Sequence, residues 1–342
     1  MKKNVMVALV FCMVTFFAKS EEIFVYGWAE TIPASVIKNF TDETGIKVNF
    51  TTFENNETMY AKIKLLSKQP SYDVIFPSNY FIEKLVNEKL LEELDHSQIS
   101  NIKYIDENVM NLSCDPKNKF SIPYFLYLTG ITYNKKFIKE KITSWNDLYS
   151  SKYKGRLALP DDIREVFSLG LILLGHNVNS KNELEIKEAY DKVRHLLPNV
   201  RLFFSDLVQT DLLSEEVVIA MNWNTNSFQA TLLDDNIEFI YPKEGAILSI
   251  DNMSILKTSK NKINAHKFIN FLHRPEIAKK IIEELKLSVV NDQAKKMLPK
   301  DIRENKTMFP DKALIEKSLI NNDIGDSIDV YNMYWDMLKV EN

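Results

Sequence analysis

Apolar and polar positions along this chain alternate in two rhythms, and the change from one to the other marks the elements. Ile23 to Gly27 reads as a strand. Pro33 then stands near the start of an amphipathic helix that ends at Gly45. Lys47 to Phe53 reads as a second strand, Glu57 to Ser67 as a helix and Asp73 to Phe76 as a third strand. Strand and helix in alternation predict a mainly parallel sheet with helices on its faces, and ligands of such sheets sit beyond the carboxyl ends of the strands. Trp28 to Thr31 and Ser78 to Phe81 fall at those ends.

A second run of the same kind follows Tyr124. It has strands at Arg156 to Leu159, Val217 to Met221 and Glu238 to Tyr241, and helices at Arg164 to Leu174 and Leu184 to Leu196. From Ile263 the tail is helical, with His273-Arg274-Pro275 as a junction between two helices. A chain of 342 residues is too long for one ordinary core, so the two runs predict two α/β lobes with room for a cleft between them.

The first twenty residues stand apart from this pattern. Lys2 and Lys3 precede the apolar run Val5 to Ala18, and Ala18-Lys19-Ser20 puts small residues where a signal peptidase reads them. The expectation is a signal peptide over 1–20, a mature chain from Glu21 and a periplasmic location. The apolar run falls short of the roughly 20 residues that a spanning helix needs. Cys12 offers a lipid anchor as the alternative, although Leu9-Val10-Phe11 before it lacks the usual small residue. Cys114, then alone, is expected to pack as an apolar residue.

Composition adds little until the leader is set aside. Apolar residues at 45% and charged residues at 26% are ordinary globular values. Loss of the leader removes three lysines and no acid, which takes the formal charge from -4 to -7. That balance disfavours nucleic acid as a partner and suits a cationic ligand. The eight glycines form neither a phosphate loop nor a dinucleotide fingerprint, no Gly-x-Ser-x-Gly occurs, and the five histidines show no metal spacing. No cofactor, metal or enzymatic activity is expected.

What remains is a set of aromatic, acidic and hydroxyl residues after strands: Trp28 with Glu30, Ser78 with Tyr80, Asp162 with Glu165, Trp223 and Asp251. A polyamine needs this mixture, since its methylenes want flat apolar walls and its ammonium groups want carboxylates and aromatic faces. Each residue also has a plainer reading. Trp28 and Trp223 suit a core, Glu30 suits a helix dipole, Asp162 and Glu165 match a capping box, and Asp251-Asn252 suits a turn.

Collinear stretches change that balance. They include Thr41-Asp42-Glu43-Thr44-Gly45-Ile46-Lys47-Val48, Asn56-Glu57-Thr58-Met59-Tyr60-Ala61-Lys62, Tyr72-Asp73-Val74 with Pro77-Ser78, and Ser121-Ile122-Pro123-Tyr124. Asp161-Asp162-Ile163-Arg164-Glu165-Val166-Phe167, Tyr241-Pro242-Lys243-Glu244-Gly245 and Asn270-Phe271-Leu272-His273-Arg274-Pro275 follow. Through nearly the whole mature chain the sequence resembles the spermidine/putrescine-binding proteins of bacterial ABC importers.

The resemblance implies the two-lobed, type II periplasmic binding protein-like fold, with each lobe a mainly parallel sheet flanked by helices and crossover hinge segments between them. The lobes would comprise 21–125 with 250–295, and 126–249 with 296–342. It further implies a monomer that captures a polyamine between its lobes and delivers it to membrane permease subunits. Trp28, Glu30, Ser78, Tyr80, Asp162, Glu165, Trp223 and Asp251 match ligand contacts of the family, and Ser205 matches a polar lining residue.

Five positions depart from the family pattern. Ser249 stands for a tryptophan, Ala29 for a hydroxyl residue, Thr31 and Leu287 for tyrosines, and Asn321 for a glutamine. The acids persist while several other contacts do not, so cation selection is expected to survive and affinity, or the choice among putrescine, spermidine and related amines, to have shifted. A different solute, a scaffold that kept the fold but lost transport, and an exported enzyme using Asp162 and Glu165 are the competing readings.

Overall fold

The computed structural model describes residues 21–205 and 208–341. The leader expected over 1–20, with Cys12 and the cleavage position, lies outside the described residues.

The first lobe begins as the sequence rhythm predicts. Strand β1 (Glu22–Trp28) leads to helix α1 (Ala34–Thr44), which starts directly after Pro33. Gly45 ends that helix in the left-handed conformation, φ 72°, and donates its N–H to the Thr41 carbonyl; a residue without a Cβ suits this cap. Strand β2 (Lys47–Phe53) pairs in parallel with β1, from Glu22 opposite Lys47 to Trp28 opposite Phe53. Helix α2 (Asn56–Leu65) is capped by Asn55, and the short β3 (Val74–Ile75) lies on the other side of β1 and leads to helix α3 (Asn79–Asn87).

Next comes β4 (Ser121–Asn134), a strand that periodicity does not reveal because it is buried along nearly its whole length and carries no polar alternation. Pro123 and Gly130 inside it also argue against a strand. The structure accommodates Pro123 at a register shift, between Pro123 and Phe125, and Gly130 where β8 crosses close by.

The second lobe contains β5 (Leu157–Pro160), α4 (Ile163–Leu174), α5 (Glu183–Arg194), β6 (Val200–Phe204), α6 (Gln209–Leu213), β7 (Ile219–Trp223), α7 (Asn224–Thr231) and β8 (Ile237–Ile240). The chain returns through β9 (Ile247–Ile255), fully buried, to α8 (Lys262–Leu272) and α9 (Pro275–Leu285), with the expected junction at His273-Arg274-Pro275. A short β10 (Leu319–Ile320) and a last helix, Ile328–Glu341, complete the described chain.

Among the described residues the strands run in the order β2-β1-β3-β9-β4-β7-β5-β6, with β10 beside β9 and β8 beside β4. Each end of this row is parallel, β2-β1-β3 in the first lobe and β7-β5-β6 in the second. The middle is antiparallel, where β9 meets β3 and β4, and β4 meets β7.

Two main cores flank that middle. Ile122, Leu126 and Leu128 of β4 pack in one, with Val25, Phe40, Ile250 and Phe268; Ile131 and Tyr133 of the same strand pack in the other, with Trp145, Phe167 and Met221. The β4–β9 ladder therefore passes from one core to the other. Leu298, Met308 and Phe309 join the first core, and Ile324, Tyr331 and Leu338 the second. Cys114 is buried, and no helix among the described residues is long and apolar enough to cross a membrane.

Gly130 gives a direct test of this middle. A Cβ there would lie 2.5 Å from the Ile240 carbonyl oxygen and 2.6 Å from the Phe239 ring. Gly130→Ala is expected to cost about 1–3 kcal/mol in denaturant unfolding as β8 is forced off β4. An unchanged unfolding midpoint would count against that packing.

Candidate functional site

A cavity of about 500 Å3 opens between the two cores, at the carboxyl ends of β1, β5 and β7, a size typical of small-ligand pockets. Trp28, Glu30, Asp162, Ser205, Trp223 and Asp251 line it, together with Ala29, Phe125, Tyr127, Gln229 and Leu287. Ser78, Tyr80 and Glu165 lie behind this surface, buried, and hold the residues that do line it.

The first turn after β1 delivers Trp28 and Glu30. Glu30 has φ 51°, a left-handed backbone costly for a non-glycine residue, and its side chain lines the cavity. The Trp28 ring packs 4.4 Å from Phe53, and neither its indole N–H nor that of Trp223 has a hydrogen-bond partner among the described residues. Trp223, at the end of β7, lies 5.5 Å from Phe204 and 6.0 Å from Tyr127, with both pairs edge to face. Each tryptophan thus shares the apolar packing expected of it and still borders the cavity.

Asp162 ends the segment after β5 and caps α4, accepting from the Glu165 N–H at 2.9 Å. The other half of the expected capping box is replaced. Glu165 accepts instead from the Ser249 hydroxyl at 3.4 Å, and its second carboxyl oxygen is buried with no hydrogen-bond partner among the described residues. Asp162 also accepts from the Tyr80 hydroxyl at 3.3 Å, a bond that joins the first lobe to the second.

Asp251 is not in a turn. It lies inside β9 opposite Phe125, only 2% exposed, and accepts from the Ser78 hydroxyl at 2.6 Å. Ser78 stands at the cap position of α3, yet its hydroxyl serves Asp251 instead of the helix. Asn56 fixes this arrangement: its carbonyl oxygen accepts from the Ser78 N–H at 3.1 Å, and its amide donates to the Ser78 and Tyr80 hydroxyls.

The electrostatics follow from burial. Desolvation pushes Asp251 up to about 8, with Asp162 adding to the effect and Ser78 opposing it. Glu165 is raised by burial and then by Asp162, and Asp162 by burial, partly offset by the Glu165 N–H and Arg164. Glu57, in the first turn of α2, is pushed up to about 7 by burial and by Asp162. Arg164, 1% exposed, is the adjacent cation, and burial lowers its own pKa. Its guanidinium donates to the Asn322 carbonyl at 2.7 Å and to the Asn179 side chain at 2.8 Å, so it acts on the acids through space. This arrangement suits a ligand that brings cations to the acids and apolar surface to the rings.

Sequence reasoning missed Tyr127, Asn56, Glu57 and Arg164 as parts of this site. The last three lie inside the collinear stretches without a stated role. Tyr127 lies in the uniformly apolar β4, and only strand register brings it to the cavity.

Residues 35–310 match a family model described as bacterial extracellular solute-binding protein. The spermidine/putrescine-binding periplasmic proteins of Salmonella typhimurium and Escherichia coli are each 38% identical to the chain. The first match covers 94% of this chain and 92% of the relative, and the second 93% and 91%. The solved substrate-binding protein of a spermidine/putrescine ABC transporter from Streptococcus pneumoniae is 35% identical, with TM-score 0.80 over 94% of this chain and 99% of that one. The Tp0655 lipoprotein of Treponema pallidum is 28% identical, with TM-score 0.83 over 93% and 99%. The architecture is the two-lobed type II periplasmic binding protein fold.

The raised carboxyls predict how stability depends on pH. Each holds its proton more tightly folded than unfolded, so the stability it contributes is full below the unfolded carboxyl range near pH 4 and is lost as pH rises through the folded value, about 7 for Glu57 and about 8 for Asp251 and Glu165. His273, buried and pushed down to about 3, gives the opposite slope below its ordinary 6.5. From pH 6.5 to 8.5 the melting temperature of the ligand-free protein is therefore expected to fall, and Asp251→Asn to flatten the slope. A wild-type melting temperature that rises over this window would contradict the burial of these acids.

Proposed function

The chain belongs to the bacterial extracellular solute-binding protein family, and from that premise we propose that it is the exported component of an ABC importer that captures a polyamine, spermidine or putrescine, and hands it to permease subunits in the membrane. The observation that carries this reading is the group of buried carboxyls beside an aromatic-walled cavity between two cores. Its likeness to spermidine/putrescine-binding periplasmic proteins supports the ligand and the periplasmic location.

In this reading Asp251 takes one ammonium group, and Asp162 with Glu165 takes another. Glu30 adds charge at the exposed rim, Ser205 adds a polar contact, and Trp28 and Trp223 cover the methylenes. Ser78 and Tyr80 act by fixing the carboxylates of Asp251 and Asp162. No bond is made or broken, so the protein works as a monomeric receptor, not an enzyme. The lobes we propose exchange at the β4–β9 ladder: 21–125 with 250–295 on one side, and 126–249 with 296–342 on the other, except that Leu298, Met308 and Phe309 pack in the core of the first lobe. Opening about that ladder separates Asp162 from Tyr80, to which it is hydrogen-bonded in this structure, and closure on the ligand restores that contact.

A second reading, an amine-bearing solute with a neutral polar group, is favoured by Thr225 and Gln229, which also line the cavity.

Calorimetric titration separates these. Spermidine or putrescine is expected to bind the wild type, and Asp251→Ala or Glu165→Ala to weaken that binding by about 2–5 kcal/mol. Because burial pushes Asp251 and Glu165 up to about 8, binding at pH 7.5 is expected to release protons from them. Affinity then rises with pH up to about 8.5, and the observed heat changes with the ionisation enthalpy of the buffer. Absence of binding for both amines at millimolar concentration would refute the polyamine reading.

A further inference from the structure

We propose that Tyr127 is a specificity-determining residue of this cavity, its ring forming the wall against which the aliphatic chain of a linear di- or triamine packs. This inference rests on the polyamine reading above and assigns part of the recognition to a residue outside the expected contact set.

Three observations point to Tyr127. It lines the cavity and lies edge to face with Trp223, at 6.0 Å and 77°, so two rings meet at an angle along one wall. Burial first, and then the neighbouring acids Asp251, Glu165 and Asp162, hold the Tyr127 phenol well above its ordinary pKa, and Asp251 and Asp162 line the same cavity as the ring. A ring so placed lies among the groups that would hold both ammonium ends, where the chain between them must run.

The third observation concerns register. Tyr127 of β4 is the direct antiparallel partner of Ser249 of β9. Directly opposed residues share one face of a sheet, with Cβ atoms about 4.5–5.5 Å apart, so one large side chain serves the space above both strands. Ser249 is 1% exposed, and its hydroxyl bonds to Glu165, while Tyr127 faces the cavity. The pair divides its work: the small member holds a carboxylate and the large member forms the wall. A large ring at position 249 would be redundant while Tyr127 is present and would substitute for it when Tyr127 is absent.

The test uses the purified protein with spermidine and putrescine as probes, titrated at pH 8 where the acids are ready to ionise. Tyr127→Ala is expected to bind the better of the two about 10- to 30-fold more weakly, the scale of one lost ring against a cationic chain. Tyr127→Phe, which keeps the ring, stays within about 3-fold of wild type, and the double variant Tyr127→Ala/Ser249→Trp recovers to within about 5-fold. A merely structural role predicts a lower melting temperature in Tyr127→Ala with no recovery of affinity on adding Ser249→Trp. The proposal is overturned if Tyr127→Ala binds within 3-fold of wild type, if Tyr127→Phe loses as much as Tyr127→Ala, or if the double variant binds no better than Tyr127→Ala. Wild type that binds neither amine overturns the polyamine reading and this inference together, whereas wild-type binding unaffected at Tyr127 removes only the inference.

Discussion

A carboxylate taken out of water without a cation beside it recovers its proton or finds a cation from outside, and this constraint organises the molecule. Burial raises Asp251, Glu165 and Asp162, and the arginine next to them directs its hydrogen bonds to Asn322 and Asn179. Hydrogen bonds offset part of the desolvation without replacing a counter-ion: Ser78 on Asp251, the α4 N–H on Asp162, Ser249 on Glu165. By contrast, surface ion pairs such as Lys38 with Asp42 and Lys187 with Asp191 lie in water and contribute little. The energetic consequence of binding is concentrated in a few buried atoms of the cleft.

Those atoms are held by strands that also join the lobes. Asp251 and Ser249 sit on β9 and Tyr127 on β4, and these strands pair from Ser121 to Thr129 between the two cores. The first turn of α3 is fastened to the same strand, since Asn79 accepts from the Ile250 N–H and Ser78 bridges to Asp251. The arrangement gives each carboxylate a rigid support in its own lobe. It leaves Tyr80 to Asp162 as a side-chain bond across the cleft, so a relative motion of the lobes would change the distance between the acids more than their local settings.

Much of this was legible in the sequence, and what was not has a common cause. The β1–α1–β2 unit could be read because Pro33 and Gly45 punctuate it and its apolar residues change period at those points. The Asp162 cap could be read from spacing, because a cap is a local hydrogen bond. β4 and β9 could not, since strands buried along both faces lose the alternation that identifies a strand, and Pro123 and Gly130 further disguise β4. Asp251 was therefore open to a turn reading, and Tyr127 carried no signal at all. The contact partners of both are set by register between residues more than a hundred positions apart, which no local pattern encodes.

The same distinction sorts the five departures from the family pattern. Thr31 is 3% exposed and donates to the Trp28 carbonyl at 3.0 Å, so it sets the turn that presents Trp28 and Glu30. Asn321 is fully buried and accepts from Ser168 at 2.9 Å and from Arg164 at 3.4 Å, which places it in the support of the arginine behind the acids. Ser249 also works from behind, through Glu165. Ala29, Thr31 and Leu287 border the cavity itself, and none of them is aromatic. The departures therefore change the cleft wall at three places, while Asn321 and Ser249, together with the Thr31 hydroxyl, adjust the supports of neighbouring residues. On the proposed polyamine reading, the acids keep the recognition of charge and the departures alter the shape available to the chain between the charges.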